Sequence, residues 1–187
     1  MANFEKLRQD IQAYDTKREE LIKKSRDVLK LSKQLIYAVH RNEMENAAQL
    51  QQKIEIEKQA LIKITQHDTK LLYEGSYKVA IQEYVEAVLY FFFVKNGELI
   101  DLDVTSVHYI LGLGDLPGEL GRRAVYLAGK GQFEEVTKIK DIVDMIYGEL
   151  LKFDLRDNDA RRKVDAIKYE LKKLEDLVLN LKLRNVN

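Results

Sequence analysis

Near the end of the chain the apolar residues fall at Val164, Ile167, Leu171, Leu174, Val178 and Leu181, an unbroken alternation of steps of three and four. That spacing places every one of them on a single stripe of an α-helix, the pattern of a helix packed along its length against another. The chain opens in the same way. Phe4, Leu7, Ile11 and Tyr14 keep the period, and it resumes at Leu21, Val28, Leu35 and Val39, with polar Arg18, Ser25 and Ser32 at the skipped seam positions. A first helix of roughly thirty-five residues is predicted. One proline, no tryptophan and abundant alanine, leucine, lysine, glutamate and isoleucine suit long helices far better than sheet. The expected fold class is all-α: a bundle of about six to seven helices with long antiparallel members, forming one domain over residues 1–187.

Punctuation divides the pattern. Arg41-Asn42-Glu43 breaks the first helix, and Asn42 is placed to cap a second that runs to Thr65. After a connection from Gln66 to Ser76, a third helix is expected from Tyr77 to Lys95, closed by Asn96-Gly97. A fourth starts at Asp103-Val104-Thr105 and ends at Lys130-Gly131, a fifth covers Phe133 to Phe153, and a polar turn from Asp154 to Asp159 leads into the last. The apolar face is larger than a minimal bundle needs, which predicts self-association.

Against this regular background stand four carboxylates inside the two most apolar stretches. Glu83 and Glu86 lie in Ile81-Gln82-Glu83-Tyr84-Val85-Glu86-Ala87-Val88-Leu89-Tyr90-Phe91-Phe92-Phe93, and Asp115 and Glu119 in Tyr109-Ile110-Leu111-Gly112-Leu113-Gly114-Asp115-Leu116-Pro117-Gly118-Glu119-Leu120. Residues three or four apart share a helix face, so each pair points one way. A glutamate on a helix ordinarily faces water, but little polar surface remains on the first of these helices. Carboxylates in apolar surroundings need a cation or strong donors. For Asp115 and Glu119, helix-start chemistry is the competing reading, with Pro117 either in a first helical turn or kinking a continuous helix. Gly112, Gly114 and Gly118 permit close helix approach.

Elimination narrows the chemistry. There is no cysteine, and His40, His67 and His108 form neither an HExxH nor an ExxH arrangement. No phosphate-cradling glycine loop and no GxSxG elbow occur. An all-carboxylate site selects Mg2+ or Mn2+, whose leading use is phosphoryl chemistry on a nucleic-acid backbone. Lysine plus arginine equals aspartate plus glutamate at 31 each, so any nucleic acid must be drawn by a local patch. Such clusters exist at Arg122-Arg123, at Arg161-Arg162-Lys163, and at Lys17-Arg18 with Lys23-Lys24-Arg26. Basic residues opening a helix oppose its dipole, which favours a phosphate-binding reading of Arg161, Arg162 and Lys163. The first ten residues carry no apolar core of a signal peptide, and the longest apolar run, Ala87 to Val94, is too short for a bilayer. A soluble cytoplasmic protein with no membrane partner is expected.

These residues together resemble the translin superfamily, and within it the branch of translin-associated factor X. The resemblance rests on Lys17-Arg18-Glu19-Glu20-Leu21 through Ser25-Arg26-Asp27, on Ser32-Lys33 to His40-Arg41, and on the two acidic motifs Gln82 to Ala87 and Tyr109 to Leu120. Ile167 to Lys173 with Leu183-Arg184 resembles the closing helix of that family. The resemblance implies a hollow, barrel-like octamer, here a homo-octamer, that binds single-stranded RNA and, as a further ligand class, single-stranded DNA. It implies a metal-dependent endoribonuclease whose acids match Glu83, Glu86, Asp115 and Glu119. Metal coordination is expected of Glu86, Asp115 and Glu119, and RNA contact of Arg122, Arg161, Arg162 and Lys163. The alternative is a non-catalytic scaffold of the translin type that binds single-stranded nucleic acid and cleaves nothing.

Overall fold

Asn3 accepts a hydrogen bond from the Lys6 amide at 3.1 Å and so starts the helix that the opening periodicity demands. A computed structural model of the chain describes residues 3–66 and 68–184; His67 lies outside them. The described residues contain six α-helices and one short 3-10 turn: α1 (Phe4–His40), α2 (Met44–Thr65), the turn Thr69–Tyr73, α3 (Gly75–Asn96), α4 (Ser106–Gly129), α5 (Phe133–Leu150) and α6 (Asn158–Arg184). The all-α expectation is met. No described helix is long and apolar enough to cross a membrane. Contacts gather the chain into two compact units that divide between Tyr84 and Val85.

In the first unit α1 and α2 form a helical hairpin. Leu21, Val28, Leu35 and Val39 of α1 and Ala47, Ile54 and Leu61 of α2 are fully buried. The polar seam positions Ser25 and Ser32 are buried with them, and Ser32 satisfies its hydroxyl by donating to the Val28 carbonyl at 2.9 Å. Asn42 corrects the sequence reading. Its φ of 57° is left-handed, and the Asn42 and Glu43 amides reach back to Val39 and Ala38 carbonyls at 3.0 and 2.9 Å. Asn42 therefore closes α1 instead of capping α2, because a short amide side chain tolerates that conformation and the reversed bonds satisfy the last carbonyls of α1.

The same unit buries a charge. Lys58 of α2 is only 1% exposed, its ammonium 3.4 Å from Glu55 and 5.3 Å from the Tyr84 ring centre. The Tyr84 hydroxyl donates to the other Glu55 oxygen at 2.5 Å. Burial pushes the Glu55 carboxyl upward, but Tyr84, Gln59 and Lys58 outweigh it and hold the group below its ordinary value.

In the second unit α4, α5 and α6 pack pairwise into a three-helix bundle. Its core takes Leu116, Leu120 and Ala124 from α4, Val136, Val143 and Ile146 from α5, and Ile167 and Leu174 from α6. The seam of α6 loses its cover towards the end: Leu171 and Leu174 are buried, Val178 and Leu181 half-buried, and Leu179 and Leu183 exposed. Gly131, with φ at 73°, closes α4 in the way Asn42 closes α1, as the Lys130-Gly131 pair predicts.

Replacing Glu55 by alanine removes the ion-pair partner of buried Lys58, and chemical denaturation should show a loss of about 1–3 kcal/mol. A group held below its unfolded value stabilises the fold above that value. The stability difference between wild type and Glu55→Gln should therefore shrink as pH falls below 4.5.

Candidate functional site

Three of the four acids singled out in the sequence lie in the second unit, on α3 and α4. Glu86 occupies the second half of α3 and is only 8% exposed. Glu83 lies one turn earlier on the same helix, half-buried, in the part of α3 that belongs to the first unit. Asp115 and Glu119 sit one turn apart on α4, which runs unbroken through Pro117. Thr105 caps α4, so the acids fall in mid-helix and the helix-start reading of them is excluded.

Each α4 acid meets a side-chain cation. The Lys163 ammonium of α6 bonds Asp115, and Arg122 donates to Glu119 at 2.9 Å. The Lys163 contact is built into the backbone. A Cβ added at Gly114 would stand 2.9 Å from the Lys163 Cβ, so only glycine lets α6 approach α4 this closely beside Asp115. Gly118, expected to share that role, has no neighbour within 4 Å of an added Cβ. At Gly121 the same position is 3.4 Å from a Glu170 oxygen.

Tyr90 adds a group that the sequence reading did not single out. It is fully buried one turn beyond Glu86, so the two share a face of α3. Burial raises its phenol well above the ordinary value, Arg123 draws it down by charge and by hydrogen bonding, and Glu119 raises it. The phenol thus stays protonated and joins the Glu86 face of α3 to the Glu119–Arg123 turn of α4. Arg123 also lines a groove with Phe93, Leu127, Lys138, Ile139 and Met145. Nothing in the α4 sequence separates Arg123 from Arg122; only packing turns one inward and leaves the other 62% exposed.

Arg161 and Arg162 behave differently. Asp157 accepts the Asp159 and Ala160 amides at 2.9 Å each and caps α6, Arg161 donates to Asn158, and Arg162 pairs with Asp159. The adverse dipole position noted in the sequence is thus offset by acids in and before the same turn. Both arginines remain on the surface, beside Arg156 and Asp165.

The donor chemistry of Glu86, Asp115 and Glu119 is that of a hard divalent cation, oxygen only. Asp115 and Glu119 are arranged as ion pairs. Among the described residues no three His, Asp or Glu side chains are gathered so as to hold a metal ion.

The sequence pattern of the translin family matches residues 16–185. The chain belongs to the translin family. It is 25% identical to translin-associated protein X of Pongo abelii over 98% of this chain and 79% of that protein. It is 28% identical to an uncharacterised protein of Methanocaldococcus jannaschii, over 91% of this chain and 80% of its length. A crystal structure titled apo-NeC3PO superposes with a TM-score of 0.89 at 26% identity, covering 97% of this chain and 98% of that one. AfC3PO gives the same TM-score of 0.89 at 25% identity, covering 98% and 99%. The fold is also that of a structure titled AfC3PO - duplex RNA complex, with a TM-score of 0.85 at 24% identity over 98% of each chain.

Gly114→Ala should force α4 and α6 apart at Lys163. Denaturation should show a loss of about 1–3 kcal/mol, against a gain of about 0.5–1 kcal/mol for Gly118→Ala, where the space is open and alanine is the better helix former.

Proposed function

We propose that this translin-family protein binds single-stranded RNA and cleaves it as a metal-dependent endoribonuclease. The observation that carries the reading is a set of carboxylates kept in an apolar bundle, two of them neutralised by side-chain cations. Asp115 with Lys163 and Glu119 with Arg122 lie on one face of α4, and buried Glu86 shares a face of α3 with Tyr90. Glu86, Asp115 and Glu119 would hold Mg2+ or Mn2+, which when bound supplies an activated water and charge neutralisation at a phosphate. Release of Asp115 and Glu119 frees Lys163 and Arg122 for phosphate oxygens, so the same cations serve the acids in one state and the substrate in another. Buried Tyr90 stays protonated and keeps Arg123 directed inward, holding the α4 turn that carries Glu119. Glu83 is assigned a supporting role one turn from Glu86.

The RNA reading draws support from the fold shared with the AfC3PO–duplex RNA complex and from the family to which the chain belongs. A homo-octamer with single-stranded RNA as ligand, and single-stranded DNA as a second, fits the apolar surface left on α1 and α6. Phe4, Leu7, Ile11, Leu179 and Leu183 are all more than half exposed. One observation favours a second reading, a scaffold that binds RNA without cutting it: both α4 acids are already paired, as purely structural carboxylates are.

Cleavage of a labelled single-stranded RNA with Mn2+ or Mg2+ separates the two readings. Activity should vanish in EDTA. In Glu119→Ala it should fall by more than the roughly 10- to 100-fold that loss of a ligand's supporting residue costs. Intact RNA bound equally by wild type and variant would establish the scaffold.

A further inference from the structure

The ion pairs of the first unit leave one basic face unbalanced. Arg26, Lys30, Lys33, Tyr37 and Arg41 follow one another on α1 at steps of four, three, four and four, which places them on a single stripe. All five are exposed. Their backs are set by the buried seam of Val28, Leu35 and Val39, so the stripe is held outward by the hairpin core. From Arg26 to Arg41 it covers about 22 Å of helix at 1.5 Å per residue.

The charges near the stripe are accounted for elsewhere. Asp27, on its flank, pairs with Lys24 at 3.7 Å; Lys24 also holds Glu57 at 2.6 Å, and Glu43 holds Arg41 at 2.6 Å. Among the described residues no ion pair involves Arg26, Lys30 or Lys33. Between them lies a shallow depression of about 530 Å³, lined by Arg26, Leu29, Lys30, Lys33, Gln34 and Tyr37. Tyr37 is 60% exposed, and Arg41 stands 5.6 Å from its ring centre, which steadies the ring at the end of the depression. A row of unpaired cations ending at an exposed aromatic ring matches the chemistry of a single nucleic-acid strand: phosphates at regular intervals and bases that stack on aromatic faces.

We propose that this face of α1 is a second RNA-binding track, distinct from the arginines at the start of α6. Arg26, Lys30 and Lys33 take backbone phosphates of a single strand, and Tyr37 stacks a base. The proposal rests on the RNA-binding reading above. Unlike Arg162, which holds Asp159, the three cations have no acid to surrender among the described residues, so phosphate contact costs them no existing ion pair.

Binding of a fluorescent single-stranded RNA, followed by anisotropy across a KCl series in EDTA, tests it. Three variants are compared with wild type: the triple Arg26→Gln, Lys30→Gln, Lys33→Gln; Tyr37→Leu; and Arg161→Gln with Arg162→Gln. Removing three phosphate contacts should lower the slope of log affinity against log salt by about 2, at roughly 0.7 per contact on a single strand. Tyr37→Leu should weaken binding roughly tenfold and leave the slope unchanged. Circular dichroism should show unaltered helix, since all four α1 positions are exposed. If the triple variant and Tyr37→Leu bind with wild-type affinity and slope while the α6 variant binds more weakly, the α1 track is overturned and RNA binding stands. If wild type binds no RNA, both readings fall. If the α1 changes alter only self-association, the face is a protein contact and the track is again overturned.

Discussion

The approach of α6 to α4 at Gly114 governs the rest of the second unit. Without a side chain there, the Lys163 stem lies against the α4 backbone and its ammonium reaches the neighbouring carboxylate, Asp115. The geometry then propagates by helical repeat. Glu119 follows one turn on, Arg122 and Arg123 follow Glu119, and Arg123 meets the buried phenol of Tyr90 on the α3 face that Glu86 shares. A single missing Cβ thus lets α6 come close enough to α4 for Lys163 to meet Asp115, whereas Arg122 meets Glu119 within α4 itself. An unpaired carboxylate in such surroundings is costly, so the lysine and arginine are part of what lets the acids remain there.

Much of the architecture is legible because helices announce their own ends. The three-four periodicity delimits α1 and α6, Asn96-Gly97 and Lys130-Gly131 stop α3 and α4, and Thr105 caps the latter. These are local signals, carried by residues within a turn of the feature they mark. Asn42 was ambiguous for the same reason. An amide residue between two helices suits an N-cap and a left-handed C-terminal position alike, and only the reversed bonds to Ala38 and Val39 decide between them. The acids of α4 were legible as misfits in an apolar run. Their partners were not: Lys163 lies 48 residues from Asp115, and periodicity carries no information about pairs so far apart. Tyr90 was hidden in an apolar helix, where one more aromatic ring signals only core.

The basic residues divide by the company they keep. Lys163 and Arg122 are tied to acids of the candidate site, and Arg161 and Arg162 to the first turn of their own helix. Among the described residues Arg26, Lys30 and Lys33 on α1 have no such tie. With a net formal charge of zero, the molecule has no long-range field to draw a polyanion, so these local differences decide where one binds. An ion-paired cation must exchange partners to hold a phosphate, whereas an unpaired one trades only water and counterions.

The central claim is that Glu86, Asp115 and Glu119 accept a divalent cation in place of the lysine and arginine that Asp115 and Glu119 now face. Titration of Mn2+ into the intact protein, with free Mn2+ read by electron paramagnetic resonance, tests it without any RNA. The account predicts one saturable Mn2+ per chain, lost when Asp115→Asn and Glu119→Gln are combined. No uptake by the folded wild type, or uptake that the double variant retains in full, would contradict it and leave the acids as structural partners of Lys163 and Arg122.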